Sequence, residues 1–237
     1  MAGTILDDES IPAPHPNCNC TAVKMTRKEY ADEYGDPDPE KQEKYEGLKM
    51  KEKERKEKEF NIKFEKLVEK VKEREGGYAD NPNVIDQPTN IGITQPTLDK
   101  YIERHPGAGF SSDLKELTSQ RAEQIYKEFF YDEKRIGEIN DLRIAYAVMD
   151  MGVMTSPKNV GYTVQDSINA TISDKVVKDG AIGDDTIKAL NSIPENKKDE
   201  FIGTLIETRL DFLKSLKDWE KYKGGWTERT NGYMNAF

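Results

Sequence analysis

At Phe60 a run of alternating charges gives way to a single apolar stripe, and that switch does most to limit what this chain can fold into. Before it, Lys49-Met50-Lys51-Glu52-Lys53-Glu54-Arg55-Lys56-Glu57-Lys58-Glu59 places Glu and Lys at helix-compatible spacing with no apolar face through residues 51–59. Ion pairs three and four residues apart support such a helix in solvent. The missing a/d seam argues against a coiled coil. After it, Phe60, Phe64, Leu67, Val68 and Val71 fall on one face of an amphipathic helix. Glu75 follows four residues later on the same face, and Gly76-Gly77 then stop the helix. A carboxylate is thus expected in the last turn of a helix, on its core side.

The segment after the stop is rich in Tyr, Asn, Pro and Thr and ends in Asn90-Ile91-Gly92-Ile93-Thr94, which suits short strands or a hairpin. Pro96 suits the first turn of a helix through Ile102, ended by His105-Pro106-Gly107. From Thr118 the stripe Ala122, Ile125, Tyr126, Phe129 and Phe130 signals another helix. Further stripes run through Leu142 to Met149, Val160 to Ile172, and Ile187 to Leu190. A long last helix is expected from about Lys197 to Lys217, with Gly224-Gly225-Trp226 closing the domain. No internal repeat is visible. The fold class expected is mainly α, or α+β, with six or seven helices and one small β excursion.

The chain has 237 residues, 34% of them charged and 35% hydrophobic, so part of it should lie outside a packed core. We expect an N-terminal extension and charged linker over 1–55, a catalytic region over 56–142 and a helical region over 143–237. No apolar run reaches the roughly 18 residues of a membrane span. Residues 1–16 lack the basic start and apolar stretch of a secretory signal. The expectation is a chain made in the cytoplasm and carried outward by something else. The net charge of −9 is spread along the chain, with no basic patch, which argues against nucleic acid.

Only two cysteines occur, Cys18 and Cys20, too close in sequence to bridge each other easily. With His15 they make a candidate zinc site, lacking a visible fourth ligand and the usual finger spacing. The competing reading is a docking segment with two thiols. No cofactor is expected for catalysis.

Burial disfavours the charged form of a carboxyl group, and the free carbonyls at a helix C-terminus push the same way. A glycosidase needs such an acid to protonate a leaving oxygen. The polar segment that follows, with Asp80, Asp86, Thr89, Asn90 and Thr94, is able to line a cleft. The same pattern also describes an ordinary last helical turn, so spacing alone leaves both readings open.

The run Glu75-Gly76-Gly77-Tyr78, Pro82 and Thr89-Asn90-Ile91-Gly92-Ile93-Thr94 resembles glycoside hydrolase family 108. These are N-acetylmuramidases of the lysozyme superfamily, found in phage endolysins and secretion-linked bacterial proteins. A weaker resemblance to the family's peptidoglycan-binding region runs through Ile125-Tyr126, Phe130-Tyr131, Asp150-Met151-Gly152, Gln165, Asp179-Gly180, Gly183 and Thr186. Together they cover about residues 60–230, and they imply a lysozyme-like catalytic region over 56–142 with a helical peptidoglycan-binding region over 143–237 packed on it. Val84 stands where the family often has an acid, and Val153 where it has Asn.

The resemblance implies a lysozyme-like fold and Glu75 as the catalytic acid, cleaving between N-acetylmuramic acid and N-acetylglucosamine. Asp86 is the candidate second carboxylate, with Thr89 or Thr94 helping to place a water. Tyr78, Tyr126 and Tyr131 are candidates for stacking on sugars, and Tyr126 reads equally well as core. Asp150 is a candidate to reach the cleft or to cap its helix, while Trp219 and Trp226 read as packing. The expected substrate is peptidoglycan, reached as a phage endolysin through a holin or as a type VI secretion effector with an immunity protein. Its site of action would then be the periplasm or cell wall. A lytic transglycosylase and a non-catalytic wall-binding module remain as alternatives.

Overall fold

The structure, a computed structural model, describes residues 10–12, 24–26, 39–80, 87–173 and 175–237, with side chains from residue 47 onward. His15, Cys18, Cys20, Pro82, Val84 and Asp86 lie outside the described residues. The chain divides into two compact units, Met1–Lys58 and Glu59–Phe237. In the first, β1 (Ser10–Pro12) pairs antiparallel with β2 (Lys24–Thr26), Ile11 opposite Met25.

A long helix, α1, spans Pro39–Arg74. Its charged part is held by pairs such as Glu52 with Arg55, at 2.7 and 2.9 Å, and its side chains over 51–59 are almost all exposed. From Phe64 on it is a core element, with Leu67 and Val71 completely enclosed. The Glu75 N–H still reaches back to the Val71 and Lys72 carbonyls, each at 3.2 Å, so Glu75 completes the last turn.

A small β element follows. β3 (Thr89–Asn90) pairs with β4 (Ile93–Thr94), and Ala79 bridges to Thr89 through two backbone hydrogen bonds. The two-residue turn Ile91-Gly92 has φ of +50° and +70°, the pattern of a type I′ hairpin. Isoleucine is poorly suited to that conformation. Its half-buried side chain packs against the core, which offsets the strain.

The helices around this hairpin are well signalled locally. Thr94 caps α2 (Gln95–Arg104), accepting from the Thr97 N–H, and Pro96 sits in the first turn. Thr118 caps α3 (Ser119–Ile125). The helix expected to continue through Phe130 instead widens into a π-helix, Tyr126–Asp132, which brings Tyr126, Phe129 and Tyr131 inward together. Asp141 caps α4 (Leu142–Met154) by accepting from two backbone N–H groups. Ser156 and Pro157 start α5 (Pro157–Thr171), and α6 (Asp184–Asn191) and α7 (Lys198–Lys214) follow.

The last helix, α8 (Trp219–Asn231), corrects the reading of Gly224-Gly225 as a terminator. Two glycines cost a helix about 2 kcal/mol relative to alanine. Tertiary contacts with α7 and the turn Gly232–Asn235 override that cost. Eight α-helices and two small two-stranded sheets are present among the described residues. One hydrophobic cluster runs from Phe64 to Tyr233 and draws on both sides of the expected 142/143 boundary. No helix among the described residues is long and apolar enough to cross a membrane.

Candidate active site

Glu75 leaves the end of α1 against the hairpin turn. A Cβ on Gly92 would lie 2.8 Å from the Glu75 carboxyl carbon and would run into the Tyr126 hydroxyl. Glycine is therefore required at position 92 both for its positive φ and for this close approach. The Tyr126 hydroxyl donates to the Ile91 carbonyl at 2.9 Å and pins the turn from the π-helix. Burial first, and then the neighbouring Glu75 carboxylate, push the Tyr126 hydroxyl well above its ordinary pKa, so it stays a donor.

From the other end of the chain, Arg229 Nη2 donates to Glu75 Oε1 at 2.7 Å. The same guanidinium makes three contacts to Asp150, at 2.7 to 3.1 Å. The Tyr233 hydroxyl donates to Asp150 Oδ2 at 2.9 Å. Burial alone would lower the Arg229 pKa, but Asp150 and then Glu75 outweigh it and hold the group well above its usual range. The side chains of Glu75 and Arg229 are 16% and 15% exposed, and that of Asp150 is completely enclosed.

Arg229 is largely committed to Asp150, which makes a nearly neutral supporting pair, and it gives Glu75 one oriented N–H. Glu75 Oε1 is held by Arg229, and Oε2 has no hydrogen-bond or ion-pair partner among the described residues. A second guanidinium, Arg209, is also enclosed, with Nε and Nη1 lacking partners among the described residues. Burial depresses its pKa, against an opposing pull from Tyr233 and Asp150. Arg74, next to Glu75 in the chain, donates to the Arg229 carbonyl at 3.4 Å and ties the end of α1 to the end of α8.

The other expected site residues separate clearly. Tyr78 is 39% exposed, donates to Asp80 at 3.1 Å and carries Lys115 over its ring. Thr89 and Thr94 belong to the hairpin, where Thr94 is occupied as a helix cap. Asn90 is buried and its amide donates to the Leu114 and Leu117 carbonyls, so it braces the hairpin and corrects the expectation of a sugar contact.

Tyr131 is corrected in the same way. It is completely buried, donates to the Phe60 carbonyl at 2.8 Å and packs edge-on to Phe60 and Phe64. Tyr126, equally enclosed, shows no face to a sugar and acts through the turn it holds. Asp150 does not reach the cleft, because its oxygens are taken by Arg229 and Tyr233. No group of residues suited to a metal ion occurs among the described residues.

Sequence reasoning missed Arg229, Tyr233 and the role of Gly92. Arg229 follows a cluster of aromatics on a polar helix, and nothing local marks it as the partner of a residue 154 positions away. A cavity of about 350 Å³, lined by Phe130, Val148, Val160 and Ile182 among others, touches none of the expected site residues.

Residues 68–155 match the glycosyl hydrolase 108 family, a segment that begins in α1 and ends just after α4. A solved structure of Brucella abortus SagA is similar at 27% identity, covering 73% of this chain and 91% of that one, with a TM-score of 0.61. The fold is thus mainly α and lysozyme-like. No curated protein matches the chain.

Proposed function

We propose that this protein is a peptidoglycan hydrolase, an N-acetylmuramidase in which Glu75 is the general acid. The observation that carries the reading is the placement of Glu75: last turn of α1, pressed against a hairpin turn, one oxygen held by Arg229 and the other without a partner among the described residues. The family match over residues 68–155 includes Glu75, the hairpin and Asp150, and supports glycosidic chemistry at this point.

In the proposed reaction Glu75 gives its proton to the glycosidic oxygen between N-acetylmuramic acid and N-acetylglucosamine as the C1–O bond breaks. Water adds to C1 and returns a proton to the site. Positioned acids of this kind contribute roughly 10²–10⁴-fold. Asp86 is kept as the proposed group that orients the water. Delivery by a holin or a secretion system, with an immunity protein in the second case, stays part of the proposal.

One observation favours a second reading. Asp150, the other enclosed carboxylate at the site, is consumed by Arg229 and Tyr233 and cannot activate water. A lytic transglycosylase needs only the single acid/base, because the muramic acid 6-hydroxyl attacks in place of water. Mass spectrometry of fragments released from purified peptidoglycan separates the two. Reducing muropeptides from wild type but not from Glu75→Gln support the muramidase, and anhydro-muramic ends move the assignment to the transglycosylase. No release by wild type overturns both.

A further inference from the structure

Helix α8 delivers Arg229 to Glu75, and the same face of that helix carries Trp219, Tyr222 and Trp226. At 100° per residue the four side chains fall within an arc of about 80°, and the stripe runs about 15 Å along the helix axis. The aromatic rings contact one another, Trp219 to Trp226 at 6.4 Å and Tyr222 to Trp226 at 5.3 Å between centroids. All three are partly exposed rather than enclosed. Gly224 and Gly225 precede Trp226 in the chain but point away from the aromatic stripe, and both are exposed.

We infer that Trp219, Tyr222 and Trp226 form a glycan-binding platform for a β-1,4-linked N-acetylhexosamine chain, guiding it toward Glu75. This rests on the proposed function and adds a substrate-binding surface that the matched segment, ending at residue 155, does not contain. Sugar rings offer apolar C–H faces that pack on aromatic rings while their hydroxyls stay wet, the amphipathic contact that Trp and Tyr serve well. Trp226 is the centre of the platform, because Lys221 Nζ already lies 4.6 Å from the Tyr222 centroid. Arg229, one turn beyond Trp226, places the end of the platform at the Glu75 carboxylate. The earlier reading of Trp219 and Trp226 as packing is the rival account, in which the rings only seal α8 against α7.

The chain has two tryptophans, both in the stripe, so tryptophan emission, excited selectively over its 11 tyrosines, reports on this surface. Full-length Glu75→Gln protein titrated with the β-1,4-linked N-acetylglucosamine hexamer is expected to show a saturable change in tryptophan emission. Trp226→Ala in the same background should bind the hexamer at least tenfold more weakly, and Trp226→Ala in the active protein should raise KM for peptidoglycan with kcat nearly unchanged. No saturable change, with KM at the wild-type value in Trp226→Ala, overturns the inference. Should Trp226→Ala prove misfolded by circular dichroism, the titration and Tyr222→Ala carry the test in its place. A saturable signal from a protein that releases no muropeptides would keep the platform and remove the muramidase. Muropeptide release without any signal would do the reverse.

Discussion

Arg229 Nη2 lies 2.7 Å from Glu75 Oε1, so residues 154 positions apart meet at the point where the chemistry is proposed. The consequence is that the end of the chain completes the site rather than decorating it. Arg229→Ala should cut kcat about a hundredfold with a small change in KM, because it frees a carboxyl whose orientation matters within an ångström. Arg229→Lys keeps the charge but loses the planar fork that serves two carboxylates at once, and should recover only part of the loss. Guanidinium ion added at millimolar concentration should restore part of the Arg229→Ala activity. Wild-type kcat in Arg229→Ala would remove the positioning role.

Asp150 is completely enclosed, so its removal tests stability more than catalysis. Asp150→Asn leaves the Arg229 charge without its main counter-charge, which should cost about 3–5 kcal/mol. The double variant Asp150→Leu with Arg229→Met removes both charges and should recover most of that loss in urea unfolding while remaining inactive. Additive losses in the two single variants and the double variant would show that the two residues do not act as a pair.

The sequence made the α1 stripe, the end of α1 just before Gly76-Gly77 and the hairpin legible from local periodicity and turn residues, although neither Gly76 nor Gly77 takes the positive φ of a helix-capping glycine. Glu75 was readable for the same reason, as the polar end of an apolar face. Arg229 was not, since its partner is fixed only by the packing of α8 against the end of α1. Tyr131 and Asn90 looked like cleft residues because aromatic and amide side chains suit sugars, and their partners, the Phe60 carbonyl and the 114–117 backbone, are visible only in three dimensions. The two glycines in α8 misled because an open surface and a helix end share one local signal.

Gly92→Ala tests the approach of the hairpin to Glu75. Its φ of +70° makes any side chain costly, by about 1–3 kcal/mol, and the added methyl collides with Glu75 and Tyr126. Activity should therefore fall further than the stability loss accounts for, by about a hundredfold in kcat. Tyr126→Phe should act in the same direction more weakly, because it frees the turn without filling it. Unchanged kcat in Gly92→Ala would separate the hairpin from the chemistry.

Glu75→Gln should abolish muropeptide release while leaving the unfolding midpoint within a small margin of wild type. Gln keeps the size of the side chain and its oxygen can still accept from Arg229, so the fold loses little. The proposed reaction would lose its proton donor and with it roughly 10²–10⁴ in rate. Residual activity above a tenth of wild type would assign the acid role elsewhere.

Lys63 gives the pH dependence of stability a signature of its own. Its ammonium donates to the Ile139 and Gly137 carbonyls from a largely buried position. Burial pulls its pKa down to about 8 from 10.5, with Asp141 opposing. Below about pH 8 folded and unfolded chains both carry the proton, and the cost of burying the charge is fully present. Between about 8 and 10.5 the unfolded chain still holds a proton the folded one has released, so stability rises with pH there. Tyr126 and Tyr131 work the other way from about pH 10, because their hydroxyls are held protonated in the fold while unfolded tyrosines ionise. The Lys63 effect should therefore show alone between about pH 8 and 9.5. Urea midpoints measured across that window should rise more steeply in wild type than in Lys63→Met. Equal slopes in the two proteins would mean that Lys63 is protonated throughout and that its two carbonyl contacts hold the charge in place.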